Sequence, residues 1–338
     1  MLSLNEIWFI AIAVLFIGFF ILEGFDFGVG IVSRSLGRTD KERRVLINTI
    51  GPFWHANQVW LITAGGAMFA AFPDWYATMF SGFYLPFVLL LLALIARGVA
   101  FEFRSQVENG TWKKVWDAAI FWGSILPPFL LGVTFANSIR GVQIDSQKEL
   151  IGSVFELLNV YSLLGGVVVV LLCILHGLVF ITIRTRGGIQ DRARDVARKI
   201  VPAVAAVLIL FVVLTYMNTD IYVVHGKQWL ALPLLTGAAL VFGWLLIRKQ
   251  RDIWTFVMTT SMITLTFASI FIGLFPRLMV SSIDPAYSLT IFNAASGAYS
   301  LRLMTYMSFT IIPFIIGYQI WCYFVFRKPI NENDHLEH

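Results

Sequence analysis

The sequence predicts an all-α polytopic membrane protein with about nine transmembrane helices, on three observations. Of the 338 residues, 58% are hydrophobic and only 13% are charged, whereas a soluble domain of this length is closer to half polar or charged. Apolar runs of about 20 residues, the length that crosses a bilayer, recur along the chain. Lys and Arg gather in alternate connections between these runs, as they do in membrane proteins. The net charge of +5 therefore indicates cytoplasmic loops, and we expect no nucleic-acid partner.

Nine runs meet the length criterion and are predicted to be the spans. They lie near residues 7–31, 51–73, 77–101, 115–139, 157–183, 199–217, 229–247, 253–275 and 303–326. Residues 1–338 are thereby predicted to form a single integral membrane domain. Most of the 25 Lys and Arg residues follow the odd-numbered spans, which predicts an external N-terminus and a cytoplasmic C-terminus.

The first span carries two acids and two closely spaced glycines in LEGFDFGVG. Glu23 and Asp26 are three residues apart, so they share one helix face. Gly24 and Gly28 have the GxxxG spacing that lets another helix approach closely. Because ionisable groups are costly inside a bilayer, both acids indicate a functional site.

The second and third spans bring further polar groups to the same predicted cytoplasmic depth. These are His55 and Gln58 in the second span and Arg97 in the third. One interpretation is structural: Arg97 snorkels or pairs with Asp26, and the polar ring fixes helix packing. The other is a proton-uptake path through carboxylate, imidazole and amide groups. A third, minor alternative is ion coordination.

Histidines and cysteines inside the predicted spans are the candidate haem and metal ligands. His55 and His176 are the histidines that lie inside predicted spans and are the candidate haem ligands, but nothing in their spacing requires a haem. Cys173 and Cys322 lie in apolar runs without a CxxC pattern, which predicts neither a disulfide nor a metal site. We expect no catalytic residue and no metal in this chain. A secondary transporter or ion channel, and a stand-alone b-type cytochrome, remain alternatives.

Two motifs carry a resemblance to a known family. LEGFDFGVG resembles DGFDxGVG, and GPFWHANQVWLITAGGAMFAAFP resembles GPFWDxNExWLxxxxGAxFAAFP, both of subunit II of cytochrome bd-type quinol oxidases. The segments FPRLMVSSIDPAYSLTIFNAASGAYSLRLMT and YQIWCYFVFRKPI are similar to the C-terminal region of that family, especially its Gram-positive members. The resemblance covers essentially the whole chain.

The resemblance implies an oxidase in the bacterial cytoplasmic membrane that oxidises a quinol and reduces O₂ to water with cytoplasmic protons. It implies haem b and haem d, or haem b only, in a partner subunit I, and no haem held firmly by this chain. It also implies a heterodimer, with a small single-helix subunit and membrane lipid as further partners. The implied fold is two four-helix bundles plus one extra helix, and the implied role is assembly and part of a proton route.

The chain departs from the family pattern at two positions. His55 stands where the pattern has Asp, and Gln58 stands where it has Glu. Imidazole titrates near neutral pH and can relay a proton, whereas an amide can only hydrogen-bond. The candidate proton path therefore consists of His55 and Gln58 together with Glu23 and Asp26.

Overall fold

The computed structural model describes residues 2–330, which are mostly α-helical. The helices are α1 Leu4–Leu36, α2 Asp40–Asn48, α3 Trp54–Ala71, α4 Pro73–Gly82, α5 Tyr84–Phe103, α6 Gly110–Arg140, α7 Val160–Arg184, α8 Gly188–Asn218, α9 Ile221–His225, α10 Ala231–Arg248, α11 Asp252–Leu274 and α12 Ala298–Val325. Three 3₁₀ turns (Val154–Leu157, Gly226–Leu230, Pro285–Tyr287) and a two-stranded hairpin (β1 Arg277–Met279, β2 Leu289–Thr290) lie in the connections.

Eight helices of residues 2–330 are long and apolar enough to cross a membrane, with α9 and α10 taken together as one. This confirms the all-α polytopic class. The eight match eight of the nine predicted spans. The remaining prediction, 51–73, corresponds to α3, which has 18 residues. Its first turns contain His55, Asn57 and Gln58, so α3 is less apolar than the membrane-crossing stretches of those eight helices. A count of nine spans and the orientation of the chain stay predictions.

Helix ends differ from the predicted boundaries for local reasons. Ser3 and Glu6 form a capping box that starts α1 before the apolar run. The third predicted span, 77–101, is wrong at its start, because α4 ends at Gly82 and α5 begins at Tyr84. Pro86 lies in the first turn of α5, where its missing N–H leaves no hydrogen bond unmade.

The helices pack as two groups around α1. In the first group α1 packs against α3 and α6, and α5 packs against α6; in the second, α7 packs against α8, and α10 against α11. Contacts of α6 with α7, and of α1 with α7 and α11, join the groups. Helices α1 and α7 approach each other closely at Gly28, where an added Cβ would lie 2.0 Å from the carbonyl oxygen of Cys173 on α7. A Cβ at Gly24 would meet only ordinary contact, 3.7 Å from the Cys173 sulfur.

Helix α12 is attached to the two groups mainly at its ends. Trp8 Nε1 donates to Thr305 Oγ1 at 3.1 Å near one end. Near the other end, the Arg184 guanidinium donates to the Phe326 carbonyl. Only 6% of its most apolar window is buried in this chain. Most of α12 therefore faces lipid or another subunit.

Candidate functional site: a buried polar cluster between α1, α3, α5 and α12

The centre of the site is an ion pair between α1 and α5. The Arg97 guanidinium donates to a Glu23 carboxylate oxygen, and both side chains are almost fully buried. The guanidinium carbon also lies 4.7 Å from the ring centre of Phe27 and 5.2 Å from that of Phe101, an arrangement that stabilises a cation. From the sequence, Arg97 is predicted either to snorkel or to pair with Asp26. In the structure, Arg97 pairs with Glu23.

Asp26 is bound from α3 instead. Asn57 Nδ2 donates to Asp26 Oδ2 at 2.8 Å, and both residues are fully buried. Asp26 follows Glu23 by three residues on α1, so the two carboxyl groups face the same side and repel each other when both are charged. Asn57 is thus the group that fixes the orientation of the second acid.

Asn57 also links the acids to α12. Its side-chain oxygen accepts hydrogen bonds from Tyr323 OH at 2.7 Å and from Gln319 Nε2 at 3.3 Å. Trp60 Nε1 in turn donates to Gln319 Oε1 at 2.9 Å. We use the name polar cluster for Glu23, Asp26, Asn57, Arg97, Gln319 and Tyr323.

The polar cluster holds more acid than base. Two carboxyl groups face one guanidinium, and Glu23, Asp26 and Arg97 are 0%, 0% and 1% exposed. One oxygen of each acid, together with Nε and Nη2 of Arg97, lacks a protein partner among residues 2–330. An extra negative charge in such surroundings is strongly unfavourable, so the arrangement is suited to holding a proton.

His55 and Gln58 lie in the first turns of α3 but do not face the polar cluster. The His55 ring is exposed and stacks on Trp54 with ring centres 3.5 Å apart, and Gln58 is half-buried. Successive residues turn by about 100° around a helix, so Asn57 faces α1 while His55, two positions earlier, points to the opposite side. The structure therefore brings Glu23, Asp26 and Arg97 together and leaves His55 on the outer face of α3.

Three residues of the polar cluster were absent from the predicted site: Asn57, Gln319 and Tyr323. Asn57 is a polar residue in an apolar run, and it lies between His55 and Gln58, the two predicted site residues of that run. Gln319 and Tyr323 are four apart in the last span, so they share one face of α12. That spacing of two hydrogen-bonding groups in an apolar run was the available signal.

His176 is fully buried and both of its ring nitrogens are engaged. Nδ1 lies 2.8 Å from Thr259 Oγ1 and Nε2 lies 3.1 Å from the Ile21 carbonyl, so neither nitrogen is directed at an open haem pocket. Within residues 2–330, no three His, Cys, Asp or Glu side chains are grouped as a metal site would need. These surroundings do not fit a haem held by His176.

A second charged network lies beyond the polar cluster, at the predicted cytoplasmic ends of the helices. Arg104 bonds Asp117 at 2.6 Å and Asp40 at 2.8 Å, and Lys113 bonds Asp40 at 3.0 Å. Burial acts to raise the pKa of Asp40, but hydrogen bonds from Lys113 and Arg104 outweigh it and hold that pKa below its usual range. These ion pairs join α2, α5 and α6 and have a structural role.

Comparison with known proteins gives consistent matches over the whole chain. The family model of cytochrome bd terminal oxidase subunit II matches residues 4–326. The chain is 53% identical over 334 residues to cytochrome bd ubiquinol oxidase subunit 2 of Bacillus subtilis strain 168, covering 99% of both chains. It is 36% identical over 370 residues to cytochrome bd-I ubiquinol oxidase subunit 2 of Escherichia coli strain K12, covering 98% of both. In fold it is similar to a chain of the bd oxidase from Geobacillus thermodenitrificans, with a TM-score of 0.78, 17% identity, and coverage of 96% of this chain and 99% of that one.

Proposed function

Because the chain belongs to the cytochrome bd terminal oxidase subunit II family, we propose that it serves a quinol:O₂ oxidoreductase as the haem-free partner of a haem-bearing subunit I. The chain is thus a multi-pass membrane subunit of a terminal respiratory oxidase. The transporter alternative has no support from its relatives. The match over residues 4–326 carries this conclusion.

We place haem b, and either haem d or a further haem b, in subunit I, where quinol is oxidised. The surroundings of His176 support this placement, since both ring nitrogens already bind protein groups. A small single-helix subunit is a further proposed partner. The exposed surface of α12 offers room for another membrane helix.

The test of this placement is the absorption spectrum of the complex purified by a tag on this chain. We expect haem bands, quinol oxidase activity and a co-purifying subunit I. Separation of the two subunits should leave the haem with subunit I. A Soret band that stays with this chain alone would overturn the proposal.

We further propose that the polar cluster takes part in proton uptake from the predicted cytoplasmic side. The supporting observation is the excess of buried acid over buried base: Glu23 is paired with Arg97, and Asp26 accepts a hydrogen bond from the neutral amide of Asn57. A proton shared by the two carboxyl groups removes the unpaired charge. Such a proton can be given up when a neighbouring charge changes during turnover.

His55 and Gln58 remain candidates for the path, on the outer face of α3. An exposed imidazole is expensive in lipid, so we propose that subunit I covers this face and exchanges protons with His55. Exchange between His55 and the polar cluster would then pass around the cytoplasmic end of α3. Gln58 contributes a hydrogen bond and no titrating proton.

Asp26→Asn separates the proton role from a purely structural one. The replacement keeps the size of the side chain and an oxygen that accepts from Asn57, but it cannot carry an exchangeable charge. We expect unchanged haem content and folded yield with turnover reduced on the order of 10²-fold, the lower end of the about 10²–10⁴-fold that positioned proton transfers contribute to rates. His55→Ala should likewise reduce turnover or proton uptake more than yield. Equal losses of yield and turnover in both variants would favour the structural role.

A further inference from the structure

An apolar groove lies between α8 and α10, near the predicted external side of the membrane. Its volume is about 450 Å³, within the range of about 300–1,000 Å³ that ligand sites occupy. Its rim is open at the surface of this chain, because Ile209, Val213 and Leu234 are 65%, 48% and 71% exposed. The groove is therefore accessible from within the bilayer.

The polar groups of the groove are already paired with one another. Tyr161 OH and Thr215 Oγ1 lie 3.1 Å apart, and Trp229 Nε1 donates to the Ser269 carbonyl at 2.9 Å. The lining thus presents hydrocarbon and no unmatched donor to an occupant. A flexible acyl chain fits such a lining better than a ligand whose polar ring needs hydrogen bonds.

A polar cavity of about 640 Å³ adjoins the groove on the external side. On α6, Ile139 lines the groove and the next residue, Arg140, lines the polar cavity. On α8, Thr215 lines the groove and Asn218, one turn later, lines the polar cavity. Residues that line the two spaces are therefore neighbours near the ends of α6 and α8, where we expect the hydrocarbon to give way to the headgroup region.

Arg140 is the cation of the polar cavity. It is the last residue of α6, it is exposed, and it forms no ion pair within the described chain, residues 2–330. A guanidinium binds phosphate oxygens in a fork of parallel hydrogen bonds. Gln143 and Asn218 add amide groups to the same lining, and Glu156 adds one carboxylate.

We propose that the groove and the polar cavity together bind one anionic phospholipid, with its phosphate at Arg140 and an acyl chain between α8 and α10. The positive charge of Arg140 favours an anionic headgroup. The apolar lining, whose polar groups are already hydrogen-bonded, favours an acyl chain. Tyr161 and Trp229 then lie at the level where aromatic side chains border the membrane interface. A lipid in this position fills the space between helices of the second group.

The headgroup is tested by lipid analysis of the washed two-subunit complex. Phosphatidylglycerol retained per complex is measured by mass spectrometry for wild type, Arg140→Ala and a control, Arg302→Ala, which removes another exposed arginine from the same predicted side. We expect retention to fall on the order of tenfold in Arg140→Ala only, as the loss of a charge-assisted contact implies. Glu156→Gln should raise retention. Equal retention in the two arginine variants, or equal retention of phosphatidylcholine supplied in its place, would overturn the proposal.

The acyl site is tested by filling the groove. Gly237 lines it, and a Cβ built there meets nothing within 4 Å, so the side chain of Gly237→Leu starts in open space and improves helix propensity. Gly317→Leu on α12 is the matched control, since a Cβ at Gly317 also meets nothing within 4 Å. We expect loss of the bound lipid in Gly237→Leu and retention in Gly317→Leu. Retention in both, recovery of an isoprenoid quinone in place of phospholipid, or photo-crosslinking from position 237 to subunit I would contradict the proposal.

Discussion

Replacing Arg97 by Gln leaves two buried carboxyl groups facing each other without a cation. Removal of one partner of a buried ion pair destabilises a protein by about 3–5 kcal/mol, and here Glu23 loses its ion-pair partner while Asp26 loses a nearby positive charge. Glu23→Gln should cost less, about 1–3 kcal/mol as for one unsatisfied buried group. The reason is that Asp26 remains near the guanidinium and two aromatic rings still cover it.

The double variant completes the cycle. Glu23→Gln with Arg97→Gln removes one positive and one negative charge together, so its loss should be smaller than the sum of the two single losses. The assay is the folded yield and apparent melting temperature of the purified complex, with the exposed Arg302→Gln as control. The reasoning is refuted if Glu23→Gln is the more harmful single change, or if the two losses simply add.

Three further predictions concern the bonds that hold the site and the loops. Tyr323→Phe removes one of the two hydrogen bonds that α12 donates to Asn57 and should destabilise the complex by about 0.5–1.5 kcal/mol, seen as a lower melting temperature, whereas the exposed Tyr318→Phe should not. Gly28→Ala places a methyl group 2.0 Å from a backbone oxygen and should abolish folded yield, whereas Gly24→Ala should be tolerated. Hydrogen bonds from Arg277, the first residue of β1, lower the pKa of Asp220. The stabilising effect of Asp220 is therefore complete above the unfolded pKa of about 3.9 and is lost as the pH falls through the folded value. Asp220→Asn should lower the melting temperature at pH 7 and reduce the further loss below about pH 4.

Each of these predictions has a clear contrary result. Equal melting temperatures for the Tyr323 and Tyr318 variants would show that α12 is held by other contacts. Normal yield of Gly28→Ala would mean that α1 and α7 separate easily at their crossing. If the stability of Asp220→Asn falls with pH in the same way as that of the wild type, then this aspartate does not contribute to the loss of stability in acid.

The sequence predicted the depth of the polar residues better than their direction. Hydropathy and the positive charges in alternate connections place Glu23, Asp26, His55 and Arg97 at one level, because depth depends only on distance along each helix. The face that each side chain presents depends on how the helices rotate against one another. For this reason the sequence predicts His55 as a site residue and does not predict Asn57, two residues away.

The ends of the spans show the same difference between what the sequence predicts and what helix packing decides. Length and apolarity identify eight helices as spans. The break between α4 and α5 was missed, although Ser81-Gly82 within that apolar run is a dipeptide that marks turns. Close approach at Gly28 was predictable from its spacing with Gly24, but which of the two glycines makes the contact was set by the position of α7.

The central claim is that the two acids of the polar cluster hold a proton that moves during turnover, and redox-induced infrared difference spectroscopy of the two-subunit complex tests it most directly. The account predicts a carbonyl stretching band of a protonated carboxyl group that shifts in D₂O and disappears in Asp26→Asn, while the haem signals are unchanged. The same band at full strength in both Asp26→Asn and Glu23→Gln would contradict the claim.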